Sequence, residues 1–218
     1  MANLLLIPTQ HELTVLQPLL DEFARRDNWS IALCGFGPIA AAARASQLIA
    51  RQQTTDHVLL IGVAGTYDPR QQLGTATVFD QVACYGIGAG TNEQHQAASE
   101  LGWPQWQETD SSFEIGDQIS LDVDSHQGCP NGGQLLTCCS ASATSEDIQC
   151  RTRQYPNATA EDMEGFGVAM ACELANVRLH IARGISNLAG ERNRENWKFD
   201  AALQAVAELA LSIMFQMG

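Results

Sequence analysis

The sequence has 218 residues, enough for one domain, or two small ones, with a substantial buried core. It carries 12 Lys and Arg against 25 Asp and Glu, a net charge of −13, which argues against nucleic acid as a partner because phosphate binding needs clustered cations. Apolar residues make up 45% of the chain, yet no apolar run approaches the roughly 20 residues that cross a bilayer.

The amino terminus and the cysteines both indicate a cytoplasmic protein. The apolar run at 4–7 ends at Pro8 and has no cationic segment before it, so it predicts a first strand rather than a signal peptide. The seven cysteines are odd in number, form no Cys-x-x-Cys pair and have no His at a zinc-ligand spacing. We therefore expect free, buried thiols in a reducing compartment, and neither a disulfide framework nor a metal site.

Strand and helix patterns alternate through the first third of the chain. In order, they predict a strand at 4–7, a helix with its apolar face at 13, 16, 20 and 23, a strand at 31–34, an alanine-rich helix at 39–51 and a strand at 58–63. This β-α-β-α-β order predicts parallel strands with helices on both faces of the sheet.

The second part of the chain is less regular. We predict a strand at 75–84, a long loop at 86–106, a turn-rich connection at 127–133, a strand at 135–139, a helix at 145–153, strands at 158–163 and 177–185 around a helix that begins near 165, and an amphipathic helix at 201–214. A loop as long as 86–106 is usually functional or mobile. Because neither a repeat nor a linker interrupts the pattern, we expect a single domain over 1–218.

Four local patterns, met in chain order, carry chemistry. They are Pro8-Thr9-Gln10-His11-Glu12-Leu13, Gly35-Phe36-Gly37-Pro38, Gly62-Val63-Ala64-Gly65-Thr66, and Glu161-Asp162-Met163-Glu164-Gly165 with Arg183-Gly184-Ile185-Ser186-Asn187 downstream. Together they resemble the nucleoside phosphorylase and nucleosidase superfamily, on its hydrolase branch. The branch includes the methylthioadenosine/S-adenosylhomocysteine nucleosidases and the futalosine hydrolases, and the segment 190–197 resembles the futalosine hydrolases in particular.

The resemblance implies a fold, an activity and an assembly. The implied fold is a three-layer α/β/α domain with a twisted mixed central sheet. The implied activity is hydrolysis of the N-glycosidic bond of futalosine, which releases hypoxanthine on the way to menaquinone. The resemblance also implies a homo-oligomer, with a dimer as one form, and an enzyme that needs no metal and no organic cofactor.

Two residues are the candidates for catalysis. Glu12 stands where a strand meets a helix, and by the resemblance it activates the attacking water; on its own, a glutamate there favours the helix dipole. By the resemblance, Asn187 holds the position at which adenine-specific nucleosidases carry aspartate. An amide offers both a donor and an acceptor, which suits a 6-keto purine with a protonated N7. On its own, Asn187 would be a turn residue after a strand.

The remaining candidates concern binding of the nucleoside. By the resemblance, Glu164 accepts hydrogen bonds from the ribose hydroxyls and Met163 packs against the sugar, although a helix-start carboxylate and a core methionine are the simpler interpretations. Ala64 and Gly65 close a strand with backbone amides suited to lie against ribose or base. Trp197 is expected beside the base, or else buried at a helix start.

Four charged residues near these candidates have open assignments. Arg192 and Arg194 flank Trp197 and are either receptors for the carboxylate of futalosine or solvated surface residues. We expect Glu161 and Asp162 to be solvated or structural.

Three alternatives remain at this stage. A methylthioadenosine/S-adenosylhomocysteine nucleosidase would carry aspartate in place of Asn187. A nucleoside phosphorylase would need cationic phosphate ligands near the first strand, and residues 7–20 contain no Arg or Lys. A non-catalytic purine-binding protein on the same fold would not need the set of Glu12, Glu164 and Asn187.

Overall fold

The computed structural model describes residues 3–52, 55–122 and 128–217. The helices within these ranges are α1 (Gln10–Arg26), α2 (Pro38–Gln52), α3 (Ser145–Gln154), α4 (Gly165–Ala175) and α5 (Phe199–Gln216). The strands are β1 (Asn3–Ile7), β2 (Trp29–Leu33), β3 (His57–Thr66), β4 (Ala76–Phe79), β5 (Gln81–Tyr85), β6 (Gly88–Ala89), β7 (Gln96–Ala97), β8 (Trp106–Gln107), β9 (Glu114–Ile115), β10 (Gln118–Ser120), β11 (Gln134–Cys138), β12 (Ala158–Asp162) and β13 (Arg178–Leu188).

The central sheet is mixed and has its longest strands in the middle. Its order is β10-β5-β11-β12-β3-β1-β2, and β13 pairs with both β3 and β4. Strand β3 runs parallel to β1 and β13 but antiparallel to β12, and β13 runs antiparallel to β4. The prediction of a mixed sheet is confirmed.

Helices cover both faces of this sheet. Along β1, Leu4 and Leu6 belong to the apolar cluster on the side of α2 and α4, whereas Leu5 and Ile7 belong to the cluster on the side of α1 and α5. Side chains alternate between the faces of a strand, so a continuous apolar run is expected where both faces are buried. The three-layer α/β/α prediction is confirmed.

The middle of the chain differs from the prediction in three places. One is the stretch from 106 to 120, for which no strand was predicted and which contains β8, β9 and β10. The strand predicted at 75–84 is two strands, β4 and β5, because Asp80 turns the chain from one neighbour in the sheet to another. The Asp80 carbonyl accepts from Leu121 N at 2.8 Å and its carboxylate accepts from Asn131 Nδ2 at 2.9 Å. The loop predicted at 86–106 contains the short β6–β7 pairing and a 3₁₀ turn at Asn92–Gln94.

The other boundaries are close to those predicted, with one extension that matters for the site. Strand β13 continues to Leu188, past the predicted end at residue 185. The start of the turn-rich connection, at Gln127, lies outside the described residues.

Helix α5 is more apolar than the composition suggested. Its 18 residues are long and apolar enough to cross a membrane by length and composition only, and Asp200, Gln204 and Glu208 interrupt the apolar residues. The helix packs against β13 and α1, and its apolar side chains, including Leu203, Val206 and Ile213, are buried in the core beside the sheet. This packing accounts for its composition as that of a core helix.

The seven cysteines are free thiols, as predicted. Their predicted burial holds for five of them, but Cys129 is only partly buried and Cys139 is exposed.

Candidate functional site

One cavity of about 580 Å³ lies where β1, β3 and β13 reach their carboxyl ends and where α1 and α4 begin. This edge of a parallel arrangement is where open α/β sheets place their ligands. The structure brings all the predicted site residues into its lining: Glu12, Ala64, Gly65, Met163, Glu164, Asn187 and Trp197. Their predicted roles in catalysis and binding stay predictions.

Glu12 is buried at the start of α1, where it is part of a capping box. Its Oε2 accepts from Thr9 N at 3.0 Å and from Thr9 Oγ1 at 2.6 Å, and Thr9 Oγ1 accepts from Glu12 N. Its Oε1 accepts from Val63 N at 3.1 Å. The alternative interpretation of Glu12 as a helix-start glutamate is therefore correct, and the same carboxylate also borders the cavity.

Arg183 is a fully buried cation close to Glu12 and Glu164, and no role was predicted for it from the sequence. Its Nη2 donates to the carboxylates of Asp162 and, at 3.4 Å, of Glu164. A Cβ atom on Gly62 would lie 2.5 Å from Arg183 Nη1 and 2.8 Å from Glu12 Oε1, so only glycine leaves room for both groups. Among the residues that the structure describes, Nη1 has no hydrogen-bond partner.

This geometry places a guanidinium N–H donor and a carboxylate oxygen on the same side of β3. The sequence did contain a sign of this buried ion pair, since Arg183 interrupts the apolar strand pattern at 177–185. A fully buried guanidinium requires carboxylate partners.

Glu164 stands before α4 but does not cap that helix with its side chain. Its Oε1 accepts from Gly37 N at 3.1 Å, which brings the second glycine turn to the cavity. Burial raises the pKa of Glu164 to about 7; the neighbouring Asp162 and Glu12 carboxylates add to the rise, while the Arg183 guanidinium and the Gly37 N–H oppose it. A carboxylate in this position binds a proton near neutral pH.

Asn187 owes its orientation to an irregularity in β13. The pairing with β3 shifts register between Ile185 and Asn187, so that Asn187 pairs with Gly65. The amide Nδ2 donates to the Leu188 carbonyl at 2.7 Å, and Oδ1 accepts from Ser186 Oγ at 2.7 Å. An amide has two N–H groups and two carbonyl lone pairs, so one of each remains for a ligand.

Glu161 and Asp162 are structural, and the alternative that they are solvated was wrong, since each is 5% exposed. Glu161 accepts from Tyr67 Oη at 2.8 Å, from Ser142 Oγ at 2.6 Å and from Arg151 Nη1 at 2.7 Å. Asp162 accepts from Thr137 Oγ1 at 2.6 Å and from the amide of the first α4 residue at 2.8 Å. These bonds hold the carboxyl end of β12 in place, and Met163 and Glu164 are the next two residues of the chain.

The rim of the cavity carries the segment between β13 and α5. The Trp197 side chain is half-buried, and its Nε1 donates to the Glu191 carbonyl at 3.1 Å. The Arg192 guanidinium lies 5.7 Å from the centre of the Trp197 ring, and Arg192 and Arg194 are both exposed and line the cavity. In the described parts of the chain, no group of three or more His, Cys, Asp or Glu side chains is arranged to hold a metal ion.

Comparisons with known proteins show which sequences and which solved structure the chain is similar to. The chain is 28% identical to the futalosine hydrolase of Streptomyces coelicolor, over 84% of this chain and 77% of that protein. It is 27% identical to the futalosine hydrolase of Thermus thermophilus, over 84% of this chain and 80% of that protein. The fold matches the 5′-methylthioadenosine/S-adenosylhomocysteine nucleosidase of Neisseria meningitidis, solved in complex with methylthio-immucillin-A, with a TM-score of 0.75 at 16% identity over 98% of both chains.

The family is set by a match that spans most of the sequence. The model of the phosphorylase superfamily matches residues 24–217. The chain therefore belongs to the phosphorylase superfamily, and the relatives that it resembles there are nucleosidases, enzymes that hydrolyse N-glycosidic bonds.

Proposed function

We propose that the protein hydrolyses the N-glycosidic bond of futalosine, releasing hypoxanthine and leaving the base-free product as a step towards menaquinone. The observation that carries the proposal is the fixed amide of Asn187, whose Nδ2 is held on the Leu188 carbonyl and whose Oδ1 accepts from Ser186. The remaining N–H can donate to a 6-keto oxygen, and the remaining lone pair can accept from a protonated N7. Hypoxanthine presents this pair of groups.

The carboxylates supply the other half of the proposed reaction. Water attacks C1′ and gives one proton to Glu12, which leaves a hydroxyl on the sugar, while the C1′–N9 bond breaks and its electron pair goes to the base. The base takes up a proton from solvent water at N7, and Glu12 afterwards returns its proton to solvent. Glu12 is supported by its place on the cavity wall, where the N–H groups of Thr9 and Val63 hold its carboxylate in position. The negative charge on this wall would also offset the oxocarbenium-like charge on the ribose.

Ribose binding is assigned to Glu164 and Met163. The Gly37 N–H and the Arg183 Nη2 contact one oxygen each of Glu164, at 3.1 and 3.4 Å, so lone pairs remain for the sugar hydroxyls. Met163 and the Ala64–Gly65 backbone line the cavity at positions that suit contact with sugar or base, and Trp197 suits the place beside the base.

Further parts of the proposal concern the setting of the enzyme. We place it in the cytoplasm as a single domain over 1–218 that works without metal or organic cofactor and assembles as a homo-oligomer. The continuous sheet from β2 to β10 supports a single domain, and the seven free thiols support a reducing compartment.

Base release from futalosine, inosine and methylthioadenosine, each with and without phosphate, tests the proposal. We expect futalosine to be cleaved with the highest kcat/KM and without phosphate. Faster cleavage of methylthioadenosine would indicate the adenine nucleosidase alternative. A requirement for phosphate would indicate a phosphorylase, and binding without base release from any of the three would indicate a purine-binding protein.

A further inference from the structure

The cavity has an uneven distribution of charge. Its lining includes five carboxylate side chains, and its only arginines are Arg192 and Arg194, among the residues that the structure describes. Among the described residues, such a lining offers an anionic ligand no Arg or Lys side chain other than those two arginines. Any negatively charged group on a substrate would therefore have to be placed against them.

The two arginines are free to bind such a group. The ion pairs within residues 3–52, 55–122 and 128–217 include neither Arg192 nor Arg194. Two carboxylates are next to them in the chain. Glu195 occurs in none of these ion pairs. Glu191 is already occupied, since its Oε1 accepts from Asn193 N and its Oε2 from Asn196 Nδ2, both at 2.7 Å. It therefore stabilises the turn of the chain and leaves the two guanidinium groups without a counter-ion.

The segment that carries them is held in shape by its own hydrogen bonds. Glu195 N donates to Asn193 Oδ1 at 3.2 Å, Trp197 N donates to the Arg194 carbonyl at 3.1 Å, and Trp197 Nε1 donates to the Glu191 carbonyl. The Trp197 ring supports the Arg192 guanidinium at 5.7 Å from its centre, a cation–π contact that limits where the cation can move. The segment is thus preorganised to present two positive charges at the rim.

We propose that Arg192 and Arg194 form a subsite for a carboxylate that the substrate carries outside its base and ribose. The inference rests on the proposed function, in which Asn187 contacts the base and Glu164 the sugar, so that a third part of the molecule reaches the rim. Guanidinium groups suit the task because their planar N–H donors match the geometry of a carboxylate.

Futalosine and inosine share hypoxanthine and ribose, so the ratio of their kcat/KM values isolates the contribution of the remaining, carboxylate-bearing part. The variants are Arg192→Gln, Arg194→Gln and the double variant. Arg51→Gln is the matched control, since it removes the same charge from an exposed position at the end of α2, away from the cavity. We expect the ratio to fall about tenfold or more in the double variant, mainly through the KM for futalosine, as for loss of a charge-assisted hydrogen bond. In Arg51→Gln it should stay within about twofold.

Two further measurements separate the possible outcomes. Inorganic phosphate should inhibit the wild type competitively with futalosine and affect the double variant less. An unchanged ratio in the double variant, or an equal loss on inosine and futalosine, would overturn the subsite. If the wild type releases base from neither substrate, the proposed function fails, and calorimetric binding of futalosine and inosine decides about the subsite: the double variant must lose the tighter binding of futalosine.

Discussion

The amide nitrogen Nδ2 of Asn187 lies 2.7 Å from the carbonyl oxygen of Leu188, its neighbour in β13. Because a carbonyl oxygen can only accept, the atom facing it must be the nitrogen, which fixes the orientation of the whole amide. An ionised carboxylate at this position would face the same carbonyl with an acceptor. Aspartate would therefore have to be protonated or turned away, and the group offered to the base would change.

The first prediction follows for Asn187→Asp. We expect this variant to lose activity on futalosine and to gain, in relative terms, on the 6-amino analogue of futalosine. An unpaired buried polar group costs about 1–3 kcal/mol, which corresponds to about one or two orders of magnitude in the ratio of the two kcat/KM values. The exposed Asn92→Asp is the matched control and should leave the ratio unchanged. If Asn187→Asp also leaves it unchanged, Asn187 does not select the base.

The second prediction concerns Glu12→Gln. We expect turnover to fall by about 10²–10⁴ while substrate binding is kept, because an amide cannot take the proton of the attacking water. Both Glu12 oxygens accept from N–H donors, of Thr9 and Val63, so the Gln amide must turn its NH₂ towards one of them and lower the stability somewhat.

Helix α3 offers the matched control for this variant. Asp147 holds the same place in a second capping box with Thr144, away from the cavity. Asp147→Asn should lower the melting temperature but leave turnover unchanged. Turnover close to the wild-type value in a folded Glu12→Gln protein would remove Glu12 from the mechanism.

The third prediction is a pH dependence that arises from Glu164. Burial raises its pKa to about 7, and in the proposed function the ionised carboxylate is the form that accepts from both ribose hydroxyls. We expect kcat/KM to fall as the pH drops below about 7, and this fall to be absent from Glu164→Gln, whose activity is low throughout. An identical acid limb in the variant would assign the ionisation to another group.

The same group makes a prediction about stability with the opposite sign. The folded protein binds the Glu164 proton more tightly than the unfolded chain does. This proton therefore contributes to the free energy of unfolding in full below pH 4.5, the ordinary pKa of a glutamate, and the contribution is lost as the pH rises through about 7. Glu164→Gln cannot ionise and should gain stability relative to the wild type between pH 4.5 and pH 8. Denaturant unfolding at these two pH values measures the difference, and Glu146→Gln, exposed on α3, should show no such trend.

The fourth prediction concerns Gly62→Ala. The added Cβ would displace Arg183 Nη1 and Glu12 Oε1, which lie 2.5 and 2.8 Å from its position. We expect a loss of stability of about 1–3 kcal/mol, as for overpacking of a filled site, together with a large loss of kcat. Gly116→Ala is the control, since nothing lies within 4 Å of its added Cβ. Unchanged turnover in Gly62→Ala would show that the positions of Glu12 and Arg183 beside Gly62 do not matter to the reaction.

The layers could be predicted from local patterns, whereas most of the cavity lining, including Met163, Asn187 and Trp197, was predicted through the family resemblance of short motifs. The apolar run of β1, for example, indicates a strand that is buried on both faces. The turns near Glu12 and Gly65 indicate where strands end at the edge of the sheet, which is where the cavity lies. The contacts of Arg183 depend on residues far apart in the chain, and no local pattern encodes them. The break at Asp80 was missed because residues on both sides favour strands and only the pairing partner changes.

Hydrolysis of futalosine by this protein can be followed through the products formed in phosphate-free buffer containing ¹⁸O-labelled water. We expect free hypoxanthine and an equal amount of a base-free product that carries one ¹⁸O atom, as detected by mass spectrometry. Added phosphate should not raise the rate of this reaction. Intact futalosine after prolonged incubation with folded protein would contradict the account, as would a phosphorylated sugar product that forms only when phosphate is supplied.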